Sequence, residues 1–83
     1  MYQIKNIKDL DKLLETSENH SLECFVALNG GARSSKDVCK ENNIYYVYNY
    51  IDDTEDSFTE EELFDSSKTV IGEAITSGNF YVY

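Results

Sequence analysis

Apolar residues first recur at helical spacing in Ile7, Leu10, Leu13 and Leu14, with Lys8, Asp11, Lys12 and Glu15 on the other side. That pattern predicts an amphipathic helix ending near Ser17. Asn6 can cap it, and Asp9 in its first turn suits the helix dipole. Residues 22–29 (LECFVALN) then alternate, with Leu22, Cys24, Val26 and Leu28 on one side and Phe25 and Ala27 on the other. Both sides read as largely buried, which predicts an interior strand. Asn29-Gly30-Gly31 supplies the positive φ angles of a tight reversal, so a hairpin follows. Residues 33–40 (RSSKDVCK) read as a weak, polar strand at a sheet edge.

A turn at 40–43 leads into the strongest strand pattern in the chain, residues 44–51 (IYYVYNYI). Ile44, Tyr46, Tyr48 and Tyr50 share one face; Tyr45, Val47, Asn49 and Ile51 share the other. One face must cover a helix while the other offers a tyrosine surface, and alternation alone leaves open which is which. After an acidic linker, Thr59 and Glu62 form a capping box, with Phe58 set to staple onto Leu63. This short helix should end near Ser66. Ser67 or Thr69 starts another that buries Val70, Ile71, Ala74 and Ile75 and stops at Gly78. Residues 79–83 (NFYVY) return as a last strand. The order is α-β-β-β-α-α-β in a single domain spanning residues 1–83, an α+β fold with a mainly antiparallel sheet of about four strands and helices packed on it.

Charge changes the picture. The chain has 83 residues and a formal charge of −9. One modest core, burying roughly 60–65% of the unfolded surface, is within reach of that length. Direct nucleic-acid binding and anionic membrane surfaces are disfavoured, because both rest on clustered Lys and Arg. Residues 52–65 hold Asp52, Asp53, Glu55, Asp56, Glu60, Glu61, Glu62 and Asp65 with no basic residue among them. The helix dipole accounts for Glu60, Glu61 and Glu62. It does not account for Asp52 to Asp56, nor for Glu61 and Asp65 one turn apart. The N-terminus has no secretory pattern and no stretch suits a membrane span, which makes a cytoplasmic protein the expectation. In that compartment Cys24 and Cys39 read as reduced thiols.

No catalytic constellation is present. A calcium loop counted from Asp52 has Ser57 in place of the turn glycine and Leu63 in place of the bidentate glutamate. Paired carboxylates for glycoside hydrolysis need a cleft that an exposed run does not supply. The turn around Gly30, Gly31, Arg33 and Lys36 lacks the ending of a phosphate-binding loop. No metal, cofactor or catalytic residue is therefore expected. What remains is contact. Carboxylates spaced along a strand and a helix turn can imitate backbone phosphates and occupy the basic groove of a nucleic-acid-binding protein. Tyr46, Tyr48 and Tyr50 would add rigid contact area. The alternative is self-association, as a homodimer, through the tyrosine-bearing sheet.

The segments FVALNGGARSSKDV (25–38), YNYIDDT (48–54) and IGEAITSG (71–78) give the chain a resemblance to small proteins encoded by phages and mobile elements of low-GC Gram-positive bacteria. The resemblance implies a setting in the bacterial host cell. Small acidic proteins there are often inhibitors of host defence nucleases, anti-CRISPR proteins among them. No residue of a known anti-CRISPR protein maps onto this chain one by one, so no inhibitory site carries over.

Overall fold

The structure, a computed structural model, describes residues 1–64 and 69–83. Six strands form one antiparallel sheet: β1 (Tyr2–Gln3), β2 (Ser21–Ala27), β3 (Arg33–Glu41), β4 (Ile44–Asn49), β5 (Thr54–Thr59) and β6 (Phe80–Val82). Their spatial order is β1-β6-β2-β3-β4-β5. Three α-helices, α1 (Ile7–Thr16), α2 (Glu60–Phe64) and α3 (Val70–Thr76), and two short 3-10 turns (Glu18–His20 and Asn29–Gly31) complete the regular elements of the described chain. The expected sheet of four strands and the order α-β-β-β-α-α-β are both overturned. The missed strands are β1, two residues long at a sheet edge, and β5, which runs through the acidic segment expected as a linker. β3 is also misplaced by sequence reasoning: it lies between β2 and β4 in the sheet interior.

The local chemistry explains the elements that form. Asp9 N–H donates to Asn6 Oδ1 at 3.0 Å, capping α1, which buries Ile7, Leu10 and Leu14. Gly30 and Gly31 take φ of +77° and +82° between β2 and β3, while Asn42 and Asn43 take +52° and +65° between β3 and β4. The capping box is reciprocal: Thr59 N–H donates to Glu62 Oε1 and Glu62 N–H to Thr59 Oγ1, both at 3.2 Å. Gly72 N–H donates to Thr69 Oγ1 at 2.8 Å, so Thr69 is the N-cap of α3. The expected end of α2 near Ser66 and a start at Ser67 lie outside the described residues.

One sheet face carries the core. Cys24 and Val26 of β2, Val38 of β3, Tyr45 and Val47 of β4, and Phe80 and Val82 of β6 pack with Ile7, Leu10 and Leu14 of α1, Leu63 of α2, and Ile71, Ala74 and Ile75 of α3. Phe58 packs against the same cluster from β5. Val70 stays out of it, 67% exposed, contrary to expectation. Tyr45 and Val47 therefore face the helices, and Ile44, Tyr46 and Tyr48 face the other way. Tyr45 hydroxyl donates to Asp11, and the same Asp11 Oδ1 accepts from Lys40 Nζ at 3.0 Å. These bonds tie the polar side of α1 to the sheet.

The two cysteines are free. Cys24 lies opposite Lys36 and Cys39 opposite Ser21, so they sit three register positions apart on opposite sheet faces. That placement rules out a cross-hairpin bridge without rebuilding the strands. Burial, assisted by the Asp37 charge, pushes the Cys24 thiol up to about 12.

At Gly72, α3 packs closely against the Leu63 backbone of α2. A Cβ there would stand 2.2 Å from the Leu63 carbonyl oxygen and 2.7 Å from Thr69 Oγ1. Gly72→Ala is expected to cost about 1–3 kcal/mol in urea denaturation, because a backbone carbonyl has to move to admit the methyl. Unchanged stability would show that the two helices do not approach this closely.

Candidate functional site

The acidic segment becomes one edge of the molecule. β5 is an outer strand, joined to β4 by a turn in which Asp53 takes φ +56°. Alternation along β5 sends its charges two ways: Glu55 lies opposite Tyr48 on the helix-free face, and Asp56 lies opposite Val47 on the helix-covered face. Asp52 and Asp53 occupy the turn, and Glu60, Glu61 and Glu62 form the first turn of α2. All seven are exposed. Asp65 lies outside the described residues. The carboxylates thus line a rim and do not share a flat face. Charges on an edge strand also deter pairing with other sheets.

The basic residues leave this rim largely alone. Arg33 lies over the Phe25 and Tyr83 rings, 4.5 and 5.7 Å from their centroids. Lys40 is committed to Asp11 in the single ion pair among the described residues. Lys36 approaches the acidic edge from beneath, beside Asp52 and Asp56. Glu55, Glu60 and Glu61 make no side-chain hydrogen bond among the described residues. Asp52, Asp53, Asp56 and Glu62 each accept one, from Thr54, Tyr48, Asn49 and Thr59 respectively.

The tyrosines flank the rim on the helix-free face. Tyr48 and Tyr50 meet edge to face at 4.9 Å, Tyr48 hydroxyl donates to Asp53, and Tyr50 hydroxyl donates to Asp37. These bonds to carboxylates raise both phenols, Tyr50 to about 12, so each remains a donor at neutral pH. Tyr46 is half-buried in the middle of β4. Tyr50 follows the end of β4 and is 53% exposed. Further along the same face, Phe25 stacks on Tyr81 at 5.2 Å and tilts against Tyr83 at 4.7 Å.

Behind the acidic edge lies a cleft of about 460 Å³ between the β4–β5 hairpin and the start of α3. Its walls are Val47, Ile51, Phe58, Val70 and Ile71; its polar lining is Ser34, Lys36, Asn49, Asp52, Asp56 and Thr69. Lys36 is only 6% exposed. Its Nζ donates to Asn49 Oδ1 at 2.6 Å and to Ser34 Oγ at 3.2 Å. Asn49 Nδ2 donates onward to Asp56 Oδ2 at 3.2 Å and Thr54 Oγ1 at 3.3 Å. Thr54 Oγ1 donates to Asp52 Oδ1 at 2.6 Å. Burial holds the Lys36 amine below the ordinary lysine value, while the charges of Asp52 and Asp56 act the other way.

Sequence reasoning named the carboxylates and read this lysine as a basic residue of a hairpin turn, whereas it is buried within β3. A signal was present: Lys36 and Asn49 have the same alternation as the core residues Val38 and Val47, so both had to point under the helices. Register then completes the row, with Lys36 opposite Asn49 and Asn49 opposite Thr54.

A lowered lysine pKa carries a signed consequence. Between that value and the ordinary 10.5 the folded chain binds fewer protons than the unfolded one, so this group makes stability rise with pH across the window. The wild-type chain is therefore expected to gain stability relative to Lys36→Met as the pH rises through that window toward 10.5. Urea titrations of both proteins check this, and a difference that is flat in pH contradicts it.

No family model, curated protein or solved structure matches this chain. The likeness of residues 25–38, 48–54 and 71–78 to phage proteins draws no support from these comparisons. Among the described residues no helix is long and apolar enough to cross a membrane.

Proposed function

We propose that this protein acts by contact: its acidic edge enters the basic nucleic-acid-binding groove of another protein and blocks it. In the phage setting suggested by the three sequence segments, that partner is a host nucleic-acid-handling protein such as a defence nuclease, met in the bacterial cytoplasm. The observation carrying this reading is the row of seven exposed carboxylates from Asp52 to Glu62, none of them in an ion pair among the described residues. An edge suits a groove better than a flat face would, because charges on both sides of β5 can meet both walls. Strand hydrogen bonding and the capping box fix the backbone that carries the carboxylates before binding, which limits the ordering entropy that association costs. Tyr48 and Tyr50 extend the contact on one side.

Capture on the immobilised chain from a bacterial lysate tests the reading when duplex DNA is added as competitor. Release of the captured protein by DNA supports groove occupation. Capture that DNA leaves untouched counts against it.

A second reading is favoured by the helix-free face. Tyr50 and Tyr83 are 53% and 51% exposed there, beside Tyr46, Tyr48 and Tyr81, and no helix packs on them among the described residues. Self-association would cover these rings. Sedimentation across a range of concentrations decides: a dimer weakened by Tyr50→Asp supports it, and a monomer throughout excludes it.

A further inference from the structure

We propose that the cleft between the β4–β5 hairpin and α3 is a covalent carbonyl-binding site, in which the Lys36 amine captures an uncharged aliphatic aldehyde or ketone as a reversible imine. The hydrogen-bond geometry carries the proposal. A protonated lysine has three N–H donors and a neutral one has two. Among the described residues Lys36 Nζ has two acceptors, Asn49 Oδ1 at 2.6 Å and Ser34 Oγ at 3.2 Å, and makes no ion pair. That set satisfies a neutral amine and leaves its lone pair unengaged, as a nucleophile requires. Burial of Lys36, in a cleft also lined by Val47 and Ile71, disfavours the charged form as well.

The lining selects the ligand. Val47, Ile51, Phe58, Val70 and Ile71 suit an alkyl chain, with Ile51 and Val70 forming an exposed aliphatic mouth, 71% and 67% accessible. Asp52 and Asp56 repel an anionic keto acid or aldehyde acid. In the reaction the nitrogen lone pair forms a bond to the carbonyl carbon and the carbonyl π pair moves to oxygen. One amine proton transfers to that oxygen, giving the carbinolamine. The second leaves with it as the C–O bond breaks, so one water is released and a C=N bond remains. Asp52 and Asp56 line the same cleft and can take each proton and return it. No oxidant or reductant is consumed.

Incubating the full chain with butanal and cyanoborohydride at neutral pH traps the imine as a stable secondary amine, which peptide mass spectrometry locates. Lys36 is expected to be labelled about tenfold or more faster than the exposed Lys5 and Lys8. 4-Oxobutanoate, an aldehyde of the same chain length with a carboxylate at its far end, is expected to label Lys36 far more slowly than butanal. Lys36→Met, which keeps the side-chain length and loses the nucleophile, should abolish the fast adduct while the slow ones on Lys5 and Lys8 persist. Even labelling across the lysines, or no preference for butanal over 4-oxobutanoate at Lys36, would overturn the proposal.

Discussion

Reversing Glu55, Glu60 and Glu61 to lysine together is expected to weaken binding to the captured partner about a hundredfold or more while leaving the fold intact. These three are the clean choice, since among the described residues their carboxylates hold no other side chain in place. Asp52, Asp53 and Asp56 accept hydrogen bonds that shape the β4–β5 turn and the cleft, so changing them would mix binding with local structure. Each reversal removes an attraction and adds a repulsion against a basic groove, and like charges brought together at an interface cost several kcal/mol. The substituted positions are exposed, so stability should shift by about 0.5 kcal/mol or less at Glu55 and by about 1 kcal/mol each at Glu60 and Glu61, which sit in the first turn of α2. Titration calorimetry for binding and urea denaturation for stability separate the two effects. Affinity unchanged by all three reversals would move the contact away from this edge.

The largest effect on stability is expected from Phe80→Ala. Phe80 is fully buried in β6 and packs in the core shared by the sheet and all three helices. Its carbonyl also accepts from Ile4 N–H at 2.9 Å, holding the N-terminal strand region to the sheet. Removing a ring from such a site costs about 3–5 kcal/mol. An 83-residue domain has a total stability of roughly 4–12 kcal/mol. The melting temperature should therefore fall by roughly 15–30 °C in calorimetry. Val70→Ala, at an exposed position, is the matched control and should leave it within a few degrees. Equal losses at the two positions would show that the core is not where the packing puts it.

Features set by neighbouring residues were legible in the sequence. The Asn6 and Thr69 caps, the turns at Asn29-Gly30-Gly31 and Asn42-Asn43, and the Thr59–Glu62 box each depend on chemistry within four residues. Features set by the sheet were not. TEDSFT has no apolar alternation beyond Phe58, and it becomes β5 because β4 pairs with it residue for residue from Ile44 opposite Thr59 to Asn49 opposite Thr54. RSSKDVCK read as an edge because it is polar; it lies inside the sheet because Ser34 and Lys36 satisfy each other and Asn49 under the helices. The acidic run was legible as composition, but its division between two sides of an edge strand follows from strand alternation. The burial of Lys36 was not legible for the same reason. Its site joins residues from three strands that only the register brings into a row.

Ionic strength tests the central claim most directly. With the captured partner in hand, its affinity for the wild-type chain should fall at least tenfold between about 0.1 M and 1 M salt, over which the screening length drops from about 10 to 3 Å. The Glu55, Glu60 and Glu61 reversal variant should lose most of that dependence. An affinity that holds constant across the range would contradict recognition through the acidic edge.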